Sequence, residues 1–282
     1  MNSKNIIIIG APRSGTNMLR DILTSFDGVA TWPCDEINYI WRHGNIFFPS
    51  DELTQEMVSP RISRYVKNSF SRIRNTYNSP IVIEKTCANS LRVPFVDKII
   101  PDAKYIFIYR DGIDAIGSAH ERWKAELDIP YILKKIRFVP KIDLPYYAIR
   151  YLWARVYRLI SREKRLAFWG PALEGMQDIL RNHSLNEICL LQWKRCVEKA
   201  QQAFKNMPHD KVINVRYEDF VTNPEYELSR ILKFIDKNVT KEEINFSIKN
   251  VSSKSIGKGR NALGEEEVKK LEPLIKETLK NF

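Results

Sequence analysis

From Asn5 to Ile9 the chain runs through four consecutive isoleucines and closes on Gly10, and the period then changes. Met18, Leu19, Ile22, Leu23 and Phe26 recur at helical spacing between Ser14 and Phe26. The pattern predicts a strand, a tight turn and a helix. It recurs twice: Ile81 to Ile83 precedes a helical run from Leu91 to Ile100, and Tyr105 to Tyr109 precedes another from Ile113 to Trp123. A further strand is expected at Val212 to Val215, with a helix from Pro224 to about Ile235. Short buried strands that alternate with helices predict an α/β fold, a parallel sheet covered on both faces.

Between Trp123 and Ser184 this rhythm stops, and the stretch is rich in Arg, Lys and aromatic residues without strand patterning. It reads as a helical insertion over about residues 124–183. Ser184-Leu185-Asn186-Glu187 is a capping box, and Cys189, Trp193, Cys196, Val197, Ala200 and Phe204 then fall on one helical face. With no repeat, low-complexity tract or Gly/Ser linker, residues 1–282 read as one domain carrying that insertion.

Charge narrows the partners. There are 45 Lys plus Arg against 34 Asp plus Glu, a formal +11, which suits an anionic ligand such as a nucleotide, a nucleic acid, an acidic glycan or a membrane surface. The four apolar residues before Gly10 are too few for a signal-peptide core or a membrane span, so a soluble, cytoplasmic protein is expected. Cys34, Cys87, Cys189 and Cys196 form no CxxC pair, and the four histidines are scattered. No metal site is expected.

Candidate chemistry starts at Gly10-Ala11-Pro12-Arg13-Ser14-Gly15-Thr16-Asn17, set between the first strand and the first helix. Exposed amides and the helix dipole make such a turn a phosphate cradle. A GxxxxG spacing is present, but Thr16 stands where a Walker A loop has its Lys, and the cation is Arg13. This argues against ordinary ATP hydrolysis.

Pro12-Arg13-Ser14-Gly15-Thr16 after an apolar strand resembles the 5'-phosphosulfate loop of sulfotransferases that use 3'-phosphoadenylyl sulfate (PAPS), most closely that of tyrosylprotein sulfotransferases and related bacterial enzymes. The resemblance covers Asn5 to Glu36 and Ile81 to Arg122 and resumes from about Glu187 to Arg260. It implies a P-loop NTPase-like three-layer fold around a central parallel sheet, PAPS as co-substrate and adenosine 3',5'-bisphosphate (PAP) as product. Arg13, Ser14, Gly15, Thr16 and Asn17 would contact the 5'-phosphate and sulfate, with Asn17 departing from the more usual Thr. Arg110, at the end of a strand, and Ser118, two helical turns on, match the family's 3'-phosphate site, and Arg122 matches a further Arg of the tyrosylprotein enzymes or is an exposed helix cation.

The same resemblance puts the catalytic carboxylate at Glu36, with Asp35 as the neighbour that could take its place. A hydroxyl attacking sulfur must lose its proton, and a carboxylate can accept it. Lys85, in Ile83-Glu84-Lys85-Thr86, matches a family Lys beside the transferring group and would neutralise developing charge together with Arg13. Tyr217 stands near the nucleotide or in the core. Ser255 to Arg260 is a basic, glycine-bearing loop in which Lys258, Gly259 and Arg260 would close on the 3'-phosphate.

Ile37-Asn38 follows Glu36, where the tyrosylprotein enzymes carry an Arg that helps hold acidic peptides, so an acidic tyrosine peptide is not the expected acceptor. A hydroxyl or amine of a glycan or glycolipid is the candidate. Tyr146 to Trp169 mixes aromatics with Arg150, Arg155, Arg158, Arg162, Lys164 and Arg165. It reads as an acceptor site, as a helix at a membrane interface, or as a helix with a core face and a solvated basic face. Self-association is compatible with the sequence, and nucleic acid is not an expected partner. Two other functions remain: a P-loop nucleotide kinase or NTPase with Asp111 as a Walker-B-like acid, and a non-enzymatic protein that binds polyanions through the insertion.

Overall fold

A computed structural model describes residues 3–124, 135–160 and 168–280. Its strands are β1 (Lys4–Ile9), β2 (Val29–Ala30), β3 (Ile81–Lys85), β4 (Lys104–Tyr109) and β5 (Val212–Arg216). They form one sheet in the order β2-β3-β1-β4-β5, with every neighbouring pair parallel. The fold is therefore α/β, as the alternation of strand and helix predicted. Ile6, Ile7, Ile8 and Ile9 of the central strand are all fully buried. Because side chains alternate along a strand, Ile7 and Ile9 enter one core while Ile6 and Ile8 enter the other. Burying each contributes roughly 1.5–3 kcal/mol, which is why a strand covered on both sides reads as an unbroken apolar run.

One core is closed by the helices Pro60–Tyr77, Val93–Ile99, Gly112–Lys124, Leu185–Phe204 and Glu265–Leu279. The other is closed by Thr16–Leu23, Tyr217–Thr222, Pro224–Phe234 and Lys241–Ile248. Leu185–Phe204 opens with the expected reciprocal cap between Ser184 and Glu187, and Cys189, Trp193, Cys196, Val197 and Ala200 are buried, with Phe204 packed at the edge.

Several elements differ from the sequence reading. The run from Leu91 to Ile100 divides into a 3-10 turn, Cys87–Leu91, and the shorter helix Val93–Ile99, because Pro94 can enter a helix only in its first turn. Ser255 to Arg260 is a loop only as far as Gly257: after the turn Ser253–Ser255, Gly257 takes a left-handed conformation and the helix Lys258–Leu263 begins. The helix Pro60–Tyr77 was not foreseen, although Ser59 caps it by accepting from the Ile62 amide at 3.2 Å and Pro60 opens it. Between 124 and 183 the described residues hold the helices Leu144–Ile160 and Met176–Asn182 and no strand. Arg162, Lys164 and Arg165 lie outside the described residues.

Candidate active site

β1 ends at Ile9, and the backbone turns through Gly10 to Gly15 into the helix Thr16–Leu23. Two residues of this turn have left-handed backbone, Arg13 at φ 69° and Gly15 at φ 88°. For Arg13 that conformation costs about 1–2 kcal/mol, strain of the kind that collects at functional sites. Gly15 needs its missing side chain twice over, since a Cβ there would also lie 2.3 Å from Cδ2 of Tyr217. The first amides of a helix lack intrahelical acceptors, and here Thr16, Asn17 and Met18 border a cavity of about 990 Å³. Ser14 does not border it: its side chain is fully buried, its Oγ has no partner among the described residues, and its N–H is donated to the Ala11 carbonyl at 3.2 Å.

At one end of the cavity stand Arg13, Arg110, Ser118, Arg122, Tyr217, Lys258 and Gly259. Arg13 Nε donates to Ser118 Oγ at 2.8 Å. Arg110 donates through Nη1 to the Arg13 carbonyl at 3.2 Å and through Nη2 to the Ser255 carbonyl at 2.7 Å, and its guanidinium lies 4.4 Å from the centre of the Tyr217 ring. Tyr217 and Ser255 share a hydroxyl hydrogen bond of 2.6 Å. Asp114, which the sequence reading passed over, organises this end. Its Oδ1 accepts from the Gly259 amide at 2.7 Å, its Oδ2 accepts from the Gly257 amide at 2.8 Å, and Arg110 Nη2 lies 3.5 Å away. The helix Lys258–Leu263 is thereby bound to Gly112–Lys124, at a crossing so close that a Cβ on Gly259 would lie 2.2 Å from the Ile113 carbonyl oxygen. Arg260 points elsewhere, paired with Glu272 at 2.9 Å and off the cavity wall.

Glu36 and Lys85 face each other beside the phosphate-cradle turn. Lys85 Nζ donates to Glu36 Oε1 at 3.1 Å and the Cys87 amide donates to the same oxygen at 3.3 Å, while Cys87 Sγ touches Thr16 Oγ1 at 3.7 Å. Burial works to raise the Glu36 pKa, but Lys85, then Lys135 and the Cys87 side chain, outweigh it and hold the carboxyl at about 2. Burial likewise opposes charge on Lys85, and Glu36 overcomes this and holds the ammonium above its ordinary value. Lys135 is a further wall residue that no motif announced, and burial pulls its pKa down despite the Glu36 carboxylate. Asp35 also borders the cavity, but its Oδ1 accepts from Arg20 Nη1 at 3.3 Å.

A further stretch of the wall is Phe168, Trp169, Gly170 and Pro171. Gln192 fixes it by donating from Nε2 to the carbonyls of Trp169 and Pro171, both at 2.9 Å. Asp51, buried between Arg42 and Arg92, accepts from the Ala172 amide at 2.8 Å. Gln192 falls on the predicted Leu185–Phe204 helix, but nothing local marks what it holds.

The residues on the walls fit a ligand with two anionic groups. Six cations (Arg13, Lys85, Arg110, Arg122, Lys135, Lys258) face four acids (Asp35, Glu36, Asp114, Glu121). The Arg13 pKa is depressed, first by burial and then by Arg122 and Arg110, so this end gathers more positive charge than it neutralises. Asn17 Oδ1 and Arg110 Nε are buried with no partner among the described residues.

The sulfotransferase domain family matches residues 3–278. The chain belongs to that family. This sulfotransferase meets the sequence expectation of an enzyme that transfers a sulfuryl group from PAPS, and such an enzyme acts on an acceptor substrate. Its fold is shared by the sulfotransferase domain from the curacin biosynthetic pathway (12% identity, 99% of this chain and 98% of that one, TM-score 0.55). It is shared also by sulfotransferase STF9 from Mycobacterium avium (14% identity, 100% and 77%, TM-score 0.56) and by mouse sulfotransferase SULT7A1, whose structure is complexed with PAP (14% identity, 100% and 86%, TM-score 0.51). No curated protein sequence matches the chain. Among the described residues no helix is long and apolar enough to cross a membrane.

Proposed function

We propose that Arg13, Gly15, Thr16 and Asn17 hold the 5'-phosphosulfate of PAPS, that Arg110, Ser118, Arg122 and Lys258 hold its 3'-phosphate, and that Glu36 accepts the proton of the attacking acceptor. The observation that carries this reading is the short chain of contacts from Thr16 through Cys87 to Glu36 and Lys85, which sets one carboxylate and one ammonium beside the anion-binding turn. The donor supplies an activated sulfuryl group. Lys85 and Arg13 stabilise negative charge as it moves off that group, and loop amides add further donors. Tyr217 lies under Arg110 and against Gly15, and Gly259 lets the Lys258 helix close on the site, so both act by holding cations in place. In this assignment Ser14 shapes the turn from beneath, and Arg260 serves Glu272 instead of the ligand.

Glu36 at about 2 is ionised but weakly basic while Lys85 is bound to it. An anion in the turn competes for that ammonium, and as Lys85 shifts toward it the carboxylate recovers basicity. The base therefore strengthens when a donor is present.

The acceptor is a hydroxyl or amine that reaches Glu36 past the Phe168 to Pro171 wall, whose aromatic character suits a sugar or lipid headgroup better than an acidic peptide. A nucleotide kinase is less well supported. Asp111, its required acid, accepts the Asp114 amide at 3.1 Å as a helix cap and is absent from the cavity wall. No cluster suited to a metal ion occurs among the described residues. The test is sulfate transfer from labelled PAPS, with a thermal-shift comparison of PAP against ATP and AMP. We expect stabilisation by PAP alone and loss of transfer in Glu36→Gln and Arg110→Ala. Full activity in both variants, or equal stabilisation by AMP, refutes the assignment.

A further inference from the structure

The helix Leu144–Ile160 wears its apolar stripe on the outside. Ile149, Leu152, Trp153 and Val156 follow the i, i+3, i+4, i+7 spacing that a surface helix ordinarily turns inward, yet they are 68%, 61%, 60% and 49% exposed. Phe47, 82% exposed and 5.5 Å from the Tyr146 ring, lies beside the start of the same helix. The helix is attached to the rest of the molecule through other positions: Tyr147 packs edge-on against Tyr39 at 6.4 Å, and Arg150 lies 5.1 Å from the Phe168 ring. The stripe is thus neither core nor accident of a frayed end.

Charge says what covers it. Between residues 135 and 165 the sequence has nine Lys or Arg and two acids, so this short stretch carries +7 of the chain's formal +11. One of the two acids, Asp143, is buried and bonded to His43 Nδ1 at 2.8 Å. A second copy of the chain docked through the same stretch would bring two strongly basic segments together, and a nucleic acid would leave the four apolar side chains in water. An anionic bilayer surface satisfies both features, because acyl chains receive the stripe while headgroup phosphates receive exposed cations of the same stretch such as Arg137, Lys141 and Arg150. At 17 residues the helix spans about 25 Å, which suits lying along the surface.

We propose that the helix Leu144–Ile160 docks the protein on an anionic membrane surface, with Leu152 and Trp153 inserted at the headgroup boundary. Phe168, held under Arg150, also forms part of the cavity wall, so docking brings the acceptor side of the cavity to the lipid surface. If the sulfuryl-transfer assignment holds, the acceptor is then a lipid headgroup hydroxyl or amine.

The experiment is flotation of the full chain with vesicles of phosphatidylcholine alone and of phosphatidylcholine with phosphatidylglycerol in a two-to-one ratio. We expect binding to the anionic vesicles that weakens with added salt and little binding to the neutral ones. Leu152→Glu with Trp153→Glu should weaken it at least about tenfold, and the milder Ile149→Gln should weaken it less. The thermal shift given by PAP reports that each variant is folded and should match the wild type. Equal flotation with both vesicles, none with either, or undiminished binding by the folded double variant overturns docking. So does a wild-type dimer that the double variant converts to monomer, which would identify a second copy as the occupant. Vesicle binding without any PAP response would leave docking standing and remove the sulfuryl-transfer assignment.

Discussion

Replacing Asp114 by Ala probes how the Arg110 end of the cavity is held together. The side chain is 4% exposed and each of its oxygens takes one amide, those of Gly259 and Gly257. Gly259 is buried, so its orphaned N–H costs about 1–3 kcal/mol; Gly257 is exposed, and water recovers most of its loss. The Arg110 guanidinium also loses the carboxylate 3.5 Å away. Together these changes favour local detachment of the helix Lys258–Leu263 by about 2–4 kcal/mol. Since 1.4 kcal/mol is tenfold in affinity, PAP binding should weaken by up to roughly 30- to 700-fold once the segment must be reordered on binding. Asp114→Asn keeps one acceptor and should fall between. Titration calorimetry measures the affinity, and amide hydrogen exchange at Gly257 and Gly259 measures the detachment directly. Wild-type protection of both amides together with an affinity within about twofold of wild type would refute the claim that Asp114 holds this segment.

Gly259→Ala should lower stability by about 2 kcal/mol or more in urea melts, because the new Cβ meets backbone that cannot move aside, whereas Gly257→Ala has open space and faces only the cost of its left-handed backbone. Native protein should react slowly with thiol reagents at neutral pH: all four cysteines are buried, and burial pushes Cys87 and Cys189 up to about 12, so rapid labelling of Cys87 would contradict the packing around Glu36. Burial raises Glu84 to about 7 against the hydrogen bond of Thr86, so the folded state holds a proton that the unfolded chain releases above its ordinary pKa near 4.5. Stability from this group is complete below that value and declines by about 3 kcal/mol as pH rises through 7, and Glu84→Gln should flatten the decline in denaturation midpoints measured between those limits.

How much of this was legible in the sequence depended on how local the cause was. Ile6 to Ile9 announce a doubly covered central strand because burial on both faces leaves no polar alternation, and Ser184 with Glu187 announce a helix start because the cap lies within four residues. Most of the cavity wall at this end was legible for the same reason: Arg13, Thr16 and Arg110 lie where strands of a parallel sheet give way to helices, Ser118 lies two turns along the helix that follows Arg110, and β1 and β4 are neighbours in the sheet. β2 escaped because two residues, Val29 and Ala30, carry no period. Arg260 read as a ligand for lack of any sign that Glu272, twelve residues on, would take it. Asp114, Gln192 and Asp51 do their work on backbone groups distant in sequence, and a side chain that binds a remote amide leaves no spacing to recognise.

The two ends of the cavity solve one electrostatic problem in different ways. Each gathers cations around one carboxylate, Asp114 beside Arg110 and Glu36 beside Lys85. Asp114 is anchored by two amides and so is fixed, which keeps Arg110 in place whether or not an anion is bound. Glu36 is anchored by one amide and by Lys85, a partner that an incoming anion can draw away. A fixed carboxylate suits recognition, where the geometry must not change. A carboxylate whose main counterion is mobile suits proton transfer, because its basicity then depends on what occupies the neighbouring turn. The two ends should therefore respond differently to substitution: Asp114→Asn should alter PAP affinity, whereas Lys85→Met should raise the Glu36 pKa from about 2 toward the ordinary carboxyl range and depress transfer by more than it depresses PAP binding. Equal losses in both quantities for Lys85→Met would place the ammonium with the binding residues instead.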